Sequence, residues 1–431
     1  VKGNISAKQK KQVVHSKYLE GRTLWFPYAG DTVYVLAAAV RSCGINAHVL
    51  PMQDASDLEL ARKHTNGQEC FPAICTTGNF LKKLLEPGVD PKKISFFMPN
   101  HNGPCRFGDY NKLQRIIFDK LGFEEVHIMS PSNDDAYADL VGKDSKKFRK
   151  NAWHGIVGID LLRRLLQERR PYELTKGQSD QVYMKYRSEL EKEIESGAKN
   201  VGGVLQRAAK AFQEVEANLE KRKPVIAVVG EIFMRDNPYC SGFLIERLEA
   251  LGAETIIAPF GEWLQYSSYR YWRDSVWKGD IKGLFKSKIQ KVYQHFIANK
   301  IKGQVDDYLT LRKELEIDEI LKLCSPYIHK DYDGDPPIAL GTAAGLVEMN
   351  ISGVANILPF TCMPGTIICS VSNDFKKDHH NIPWLNFAYD GQEDSGIETR
   401  LQAFMHQAKE YAEMHGFGST TGWYKEKETA S

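Results

Sequence analysis

No two of the eight cysteines form a CxxC pair, which excludes a zinc ribbon or a thioredoxin-type redox motif. The chain also lacks GxxxxGKS or GxxxxGKT, so it carries no P-loop, and no glycine-rich nucleotide fingerprint stands between a strand and a helix. Gly30 and Gly230 mark turns after strands but stand alone. Long apolar runs are missing: the longest, such as "VIAVVG" (225–230), are strand-sized, so no membrane span is expected. There is no excess of one charge. The 57 basic and 55 acidic residues leave +2, without the footprint of a nucleic-acid binder. The start, "VKGNISAKQKKQVVHSK", has no apolar signal core, so secretion is not expected and the cytoplasm is. It also has no Met, so a processed chain or a segment of a longer, fused one is expected. Without an export signal the cysteines are expected as thiols or ligands rather than disulfides.

What is present is α/β patterning, repeated. "TLWFPYAGDTVYVLAAAVRSCGINAHVLP" (23–51) reads as strand, Gly loop, helix, Gly stop and second strand. "PVIAVVGEIFMRDNPYCSGFLIERLEALGAETIIAP" (224–259) repeats that order. Both endings, "CGINAHVLP" and "LGAETIIAP", place Gly after a helix and then a strand closed by Pro. Alternating strands and helices predict two Rossmann-like modules with parallel sheets, bridged by helical segments, from a duplicated unit. The expected boundaries are an N-terminal extension (1–19), a first module (20–135), a helical segment (136–222), a second module (223–412) with a helical insertion (262–325), and a tail (413–431). The charged helical patterns of 135–222 read as solvated faces over a narrow apolar stripe. The aromatic-rich "EWLQYSSYRYWRDSVWKGD" reads as packing or a subunit contact, against a cofactor box as the alternative, and a dimer is left open among the partners.

In an open parallel sheet, ligands gather at the carboxyl ends of the strands, where loops lead into helix N-termini. Three cysteines map there. Cys105 follows the strand "ISFFMP", Cys362 follows "VANILPF", and Cys70 precedes Pro72 in the first turn of a helix. A helix N-terminus favours the thiolate, the form that binds metal. The others read differently. Cys43 ends a helix at the opposite sheet edge and is expected in the core. Cys369 lies two helical turns past Cys362, about 10 Å along the axis. Cys324 ends a helix with no partner near in sequence, Cys75 faces either way, and Cys240 is an outside candidate.

The strings "ECFPAICTTG", "FFMPNHNGPCRFGDYNKLQ", "GEIFMRDNPYCSGFL", "ILPFTCMPGT" and "NIPWLNFAYDGQEDSGIETRLQAFMHQA" together resemble the 2-hydroxyacyl-CoA dehydratase/benzoyl-CoA reductase component superfamily. Within it they are most similar to the branch fused to, or encoded beside, CoA-dehydratase activators, which includes double-cubane cluster proteins. The resemblance covers most of residues 20–412 and rests on the order of the cysteine motifs. It implies α/β domains whose cysteines meet around an iron–sulfur cluster fed by a separate ATP-hydrolysing activator. In dehydratase members three cysteines hold a 4Fe–4S cluster with one iron open to a thioester carbonyl, and an electron transferred there leads to loss of water. In double-cubane members two cubanes share a sulfide and reduce small unsaturated molecules. Cys70, Cys105 and Cys362 occupy the matching positions, which fits a single cubane; a double cubane would need further thiols from Cys75, Cys240 and Cys43. The substrate is then a CoA thioester or a small molecule.

Secondary candidates are Arg106, as a tuner of cluster potential against a plain surface pair, Glu69 beside Cys70, His101 as a proton donor, and Asp390 and Glu393 as an acid/base pair against an ordinary turn. The rival functions are a non-catalytic scaffold that docks an activator, with structural thiols, and a mononuclear metal or flavin-type site. The cluster reading expects the sulfurs of Cys70, Cys105 and Cys362 within on the order of 7 Å of each other, from metal–thiolate bonds of ~2.3 Å.

Overall fold

A computed structural model describes residues 18–101, 103–131, 137–310, 315–392 and 396–415. The fold is mixed α/β with two four-stranded, all-parallel sheets, as the repeated template predicts. The chain divides into two compact units, residues 1–159 with 189–201 and residues 160–188 with 202–431. Among the described residues, no helix is long and apolar enough to cross a membrane.

In the first unit the strands are β1 (Thr23–Phe26), β2 (Ala47–Val49), β3 (Ile94–Phe97) and β4 (His127–Met129), in the order β2-β1-β3-β4. Helix α1 (Thr32–Arg41) is built on an alanine run and buries most of its surface. It stops where Gly44 takes a left-handed φ of +85°, open to glycine without strain. Helix α2 (Ala55–Arg62) starts from a reciprocal capping box between Asp54 and Asp57. Helix α3 (Phe71–Leu84) packs so closely on it that a Cβ at Gly78 would lie 2.1 Å from the Asp57 carbonyl oxygen. Phe80 of α3 stacks on Phe96 of β3 with ring centroids 4.2 Å apart, and both rings are fully buried. Each such ring contributes roughly 2–3 kcal/mol of burial. Helix α4 (Tyr110–Lys120) closes the crossover to β4 and lays Ile117 and Phe118 on the same core.

The charged stretch between the sheets folds as α5 (Ser145–Arg169), α6 (Gln178–Glu195) and α7 (Val201–Glu214). In α7 the buried positions Val201, Val204, Leu205, Ala208, Ala209 and Phe212 form the expected apolar stripe, but α5 is buried on every side from Asn151 to Ile159 and is not a solvated helix over a narrow stripe.

In the second unit β5 (Val225–Gly230), β6 (Glu254–Ile257), β7 (Gly353–Pro359) and β8 (Trp384–Tyr389) run in the order β6-β5-β7-β8, the same order as the first sheet. Central β5 and β7 are buried at every position, while edge strand β8 alternates. The single helix that the template predicts between β5 and β6 is two short ones, α8 (Ile232–Asp236) and α9 (Leu244–Ala250). Pro238 is the reason: it has no N–H to continue the ladder and holds Asn237 extended, at φ −103° and ψ 108°. Helices α10 (Gly261–Trp277), α11 (Ile281–Lys302) and α12 (Ile317–Leu323) follow β6. Helix α13 (Asp335–Glu348) is apolar on all sides and buried from Pro336 to Leu346. Helix α14 (Met363–Asp378) joins β7 to β8, and α15 (Ile397–Met414) ends the described chain.

Candidate metal centre

The three cysteines singled out by the sequence share one local setting. Cys70, Cys105 and Cys362 are each the N-cap of a helical segment, with extended backbone at φ/ψ of −61°/136°, −75°/135° and −68°/116°. Pro72 and Pro364 lie two residues beyond Cys70 and Cys362, in the first turns of α3 and α14. Serine or aspartate usually fills an N-cap, because its oxygen accepts the orphan N–H groups. Here the position is held by a cysteine, and of the three only Cys105 makes a side-chain capping contact, from the Phe107 N–H. No disulfide joins any of the eight cysteines.

In the first unit, two of the thiols belong to neighbouring loops. Cys105 caps a single 3-10 turn, Arg106–Asp109, that runs into α4, and its Sγ accepts a hydrogen bond from the Phe107 N–H at 3.5 Å. The Arg106 guanidinium reaches across and donates to the Gln68 carbonyl at 2.9 Å, tying the Cys105 turn to the loop that carries Cys70. Cys70 is buried in the same apolar cluster as Tyr110, with Phe107 against it. The loop before Cys105 is tightly folded: a Cβ at Gly108 would lie 2.4 Å from the His101 carbonyl oxygen. Asn100 donates its N–H to the Pro131 carbonyl at 3.0 Å, fixing the loop to the end of β4. The Arg106 contact lies at the surface. Glu69 turns back on its own loop and accepts from the N–H groups of Asn66 and Gln68 at 3.0 and 3.1 Å. His101 lies against Gly103 in its own loop.

In the second unit, Cys362 is buried and follows Thr361, whose φ of +61° turns the chain sharply out of β7. The same sheet edge carries two acids that sequence reasoning missed. Glu231 directly follows β5, caps α8 by accepting from the Met234 N–H at 2.9 Å, and donates its own N–H to the Ile357 carbonyl. Asp335 opens α13 just before Pro336. The turn there approaches Cys362's helix closely, since a Cβ at Gly334 would lie 3.8 Å from Cγ of Pro364. Burial, then the negative charge of Asp335, pushes the Glu231 carboxyl up to about 8. Burial raises Asp335 to about 6, against the pull of Arg235. Their sequence signal was slight: an acid straight after a buried strand, and one before a Pro-Pro pair.

The remaining candidates are placed as follows. Cys43 is half-buried just past the end of α1, not in the core as expected, because the last turn of a helix projects beyond the sheet it covers; its thiol donates to the Ala39 carbonyl at 3.5 Å. Cys75, Cys240 and Cys324 are fully buried. Burial pushes the Cys324 thiol up to about 11, and it donates to the Leu321 carbonyl at 3.2 Å. Cys369 is half-buried, and burial raises its thiol as well. Asp390 accepts from the Gln392 N–H at 3.0 Å, an ordinary turn contact, and Glu393 lies outside the described residues.

Cys70 and Cys105 belong to the first unit and Cys362 to the second. Among the described residues, no group of three or more His, Cys, Asp or Glu side chains is gathered to hold a metal ion. The fit to an iron–sulfur group rests on donor chemistry: three cysteines in no disulfide, each at the N-cap of a helical segment, a position that favours the thiolate. No protein-family model matches the chain, and no curated protein matches it.

Proposed function

We propose that the chain is an iron–sulfur protein of the 2-hydroxyacyl-CoA dehydratase component type. In this reading it accepts low-potential electrons from an ATP-hydrolysing activator, separate or fused, for the radical dehydration of a 2-hydroxyacyl-CoA or the reduction of a small molecule in the cytoplasm. The observation that carries the proposal is the shared N-cap setting of Cys70, Cys105 and Cys362, the three positions that match the cysteine loops of that superfamily. These thiols would hold the cluster; once bound, a 4Fe–4S cluster supplies one-electron chemistry at an iron that three cysteines leave open. Around it, the chain's own groups have separable tasks. Arg106 holds the Cys70 and Cys105 loops together through the Gln68 carbonyl. Helix N-terminal N–H groups stabilise the thiolates. Glu231, with its carboxyl near 8, holds a proton at neutral pH at the Cys362 edge.

The test is anaerobic purification, followed by reconstitution with iron and sulfide. The expected product is brown, with a broad charge-transfer band and several irons per chain. Colourless, iron-free protein that is fully folded after reconstitution overturns the proposal in favour of a docking scaffold.

A further inference from the structure

Helix α11 buries Gly283, Ser287, Gln294, Ile297, Ala298 and Ile301, so small or polar residues fill its buried side up to Gln294 and apolar ones only its last turns. Ile281, Phe285, Ile289, Val292 and Phe296 instead face solvent, each between 61% and 69% exposed. An amphipathic helix of a monomer does the reverse. The helix packed against it, α10, also exposes Trp272, Val276 and Trp277 near its end. At ~150–250 Å² for a whole aromatic side chain, and ~100 Å² for an aliphatic one, these eight side chains leave roughly 600–850 Å² of apolar surface in water. That is at or above the ~300–600 Å² patch usual on a monomer, and comparable to the ~800 Å² that each partner contributes to a stable interface.

We propose that this face is covered by a second copy of the same chain, in a two-fold contact with the two α11 helices antiparallel. The sequence of the stripe carries the choice of occupant. Phe285, Ile289, Val292 and Phe296 are spaced four, three and four residues apart, a pattern that reads the same in both directions. It is also palindromic in residue type, with Phe at both ends and β-branched residues between. Run backwards against itself, the stripe sets Phe285 against Phe296 and Ile289 against Val292, large beside large at the ends and small beside small at the centre. A two-fold interface needs this self-complementarity, and a partner of other origin does not. The four–three spacing is that of a helix-to-helix seam. From Phe285 to Phe296 it spans 11 residue steps, about 17 Å of helix.

The lysines of α11 bear on the alternative, an anionic membrane surface, because the helix has six lysines and no acid. Several are already engaged within the chain. Lys291 pairs with Asp318, Lys302 with Asp306 at 3.8 Å, and Lys286 sits 5.5 Å from the centre of the Tyr271 ring. What charge is left repels the same charge on a second copy. Association should therefore tighten as salt screens that repulsion, whereas binding to an anionic surface loosens.

The experiment is sedimentation velocity on the full chain from about 1 to 100 μM, at low and high salt, with and without iron. The expected result is a species of twice the 48.9 kDa chain mass that persists to lower concentration in high salt. The double variant Phe285→Glu/Ile289→Glu should associate on the order of 100-fold or more weakly, since buried charge opposes the seam. Because both side chains are exposed, its far-UV circular dichroism should be unchanged. Ile116→Glu, at an exposed position of α4, should leave the dimer intact. A monomer at 100 μM in high salt overturns the proposal, as does a folded double variant that remains a dimer. So does a monomer that sediments with vesicles of phosphatidylserine and phosphatidylcholine and is released by salt. Mass is read independently of iron, so this result and that of the iron–sulfur test stand apart.

Discussion

Alanine at position 108 strikes the turn that presents Cys105. A Cβ there would lie 2.4 Å from the His101 carbonyl oxygen, where ordinary contact begins near 3.4 Å, so backbone must move by about 1 Å. Alanine at Gly103 meets a similar distance, 2.7 Å, but from Nε2 of His101, the far end of a flexible side chain. Overpacking against backbone costs about 1–3 kcal/mol, and the stiffer unfolded chain returns about 0.4–1 kcal/mol. Gly108→Ala is thus expected to lose about 1–2 kcal/mol in urea unfolding with an unchanged m-value, and Gly103→Ala less than about 0.5 kcal/mol. The consequence for metal is larger than that for stability. Metal–ligand distances tolerate only about ±0.2 Å, so a shift of about 1 Å beside Cys105 should lower iron per chain in Gly108→Ala far more than in Gly103→Ala. Equal stability and equal iron in the two variants would refute the reasoning.

Cys70→Ala, Cys105→Ala and Cys362→Ala should each lose iron and the charge-transfer band, whereas Cys43→Ala should keep both and change stability by roughly 1 kcal/mol or less; iron analysis of the four reconstituted variants decides. The carboxyl of Glu231 is raised from the ordinary 4.5 to about 8, so the stability it contributes is complete below about pH 4.5 and is lost as pH rises towards and through 8. Glu231→Gln retains an oxygen for the Met234 N–H and removes the titration, so its urea midpoint should fall less than the parent's between pH 5 and 9, a difference on the order of a few kcal/mol; parallel profiles would sink the assignment. Without a phosphate cradle the isolated chain should show no heat of ATP binding by calorimetry, and a micromolar dissociation constant would contradict this.

The two sheets were legible because their signals are local. Buried strands such as "VIAVVG" announce themselves by composition, and Gly44 and Gly252 mark helix ends by conformations that glycine takes most readily. Pro238 was equally local, and the break it makes between α8 and α9 was there to be read. Burial was harder. Cys43 follows an apolar run, yet it lies past the last turn of α1, where coverage by the sheet ends. The stripe on α11 has helical period, but period alone tells which residues share a face and not what that face meets. Glu231 and Asp335 were invisible for the same reason, because their raised carboxyls come from tertiary burial.

The common strand order of the two sheets makes the candidate site interpretable one module at a time. Strands β3 and β7 hold the same place, so Cys105 and Cys362, each at the first cap after its strand, are topological counterparts. Helices α3 and α13 precede those strands and are counterparts as well; both carry proline at the second helical position, Pro72 and Pro336. At that cap the modules differ. The first has the thiol of Cys70, and the second has Gly334 followed by the buried carboxyl of Asp335, coupled in charge to Glu231. The two sheet edges therefore differ in donor type: the first has a thiol at both caps, the second a thiol at one and an acid beside the other. Thiolates are ligands for electron-carrying metal, whereas a carboxyl raised toward neutrality carries a proton.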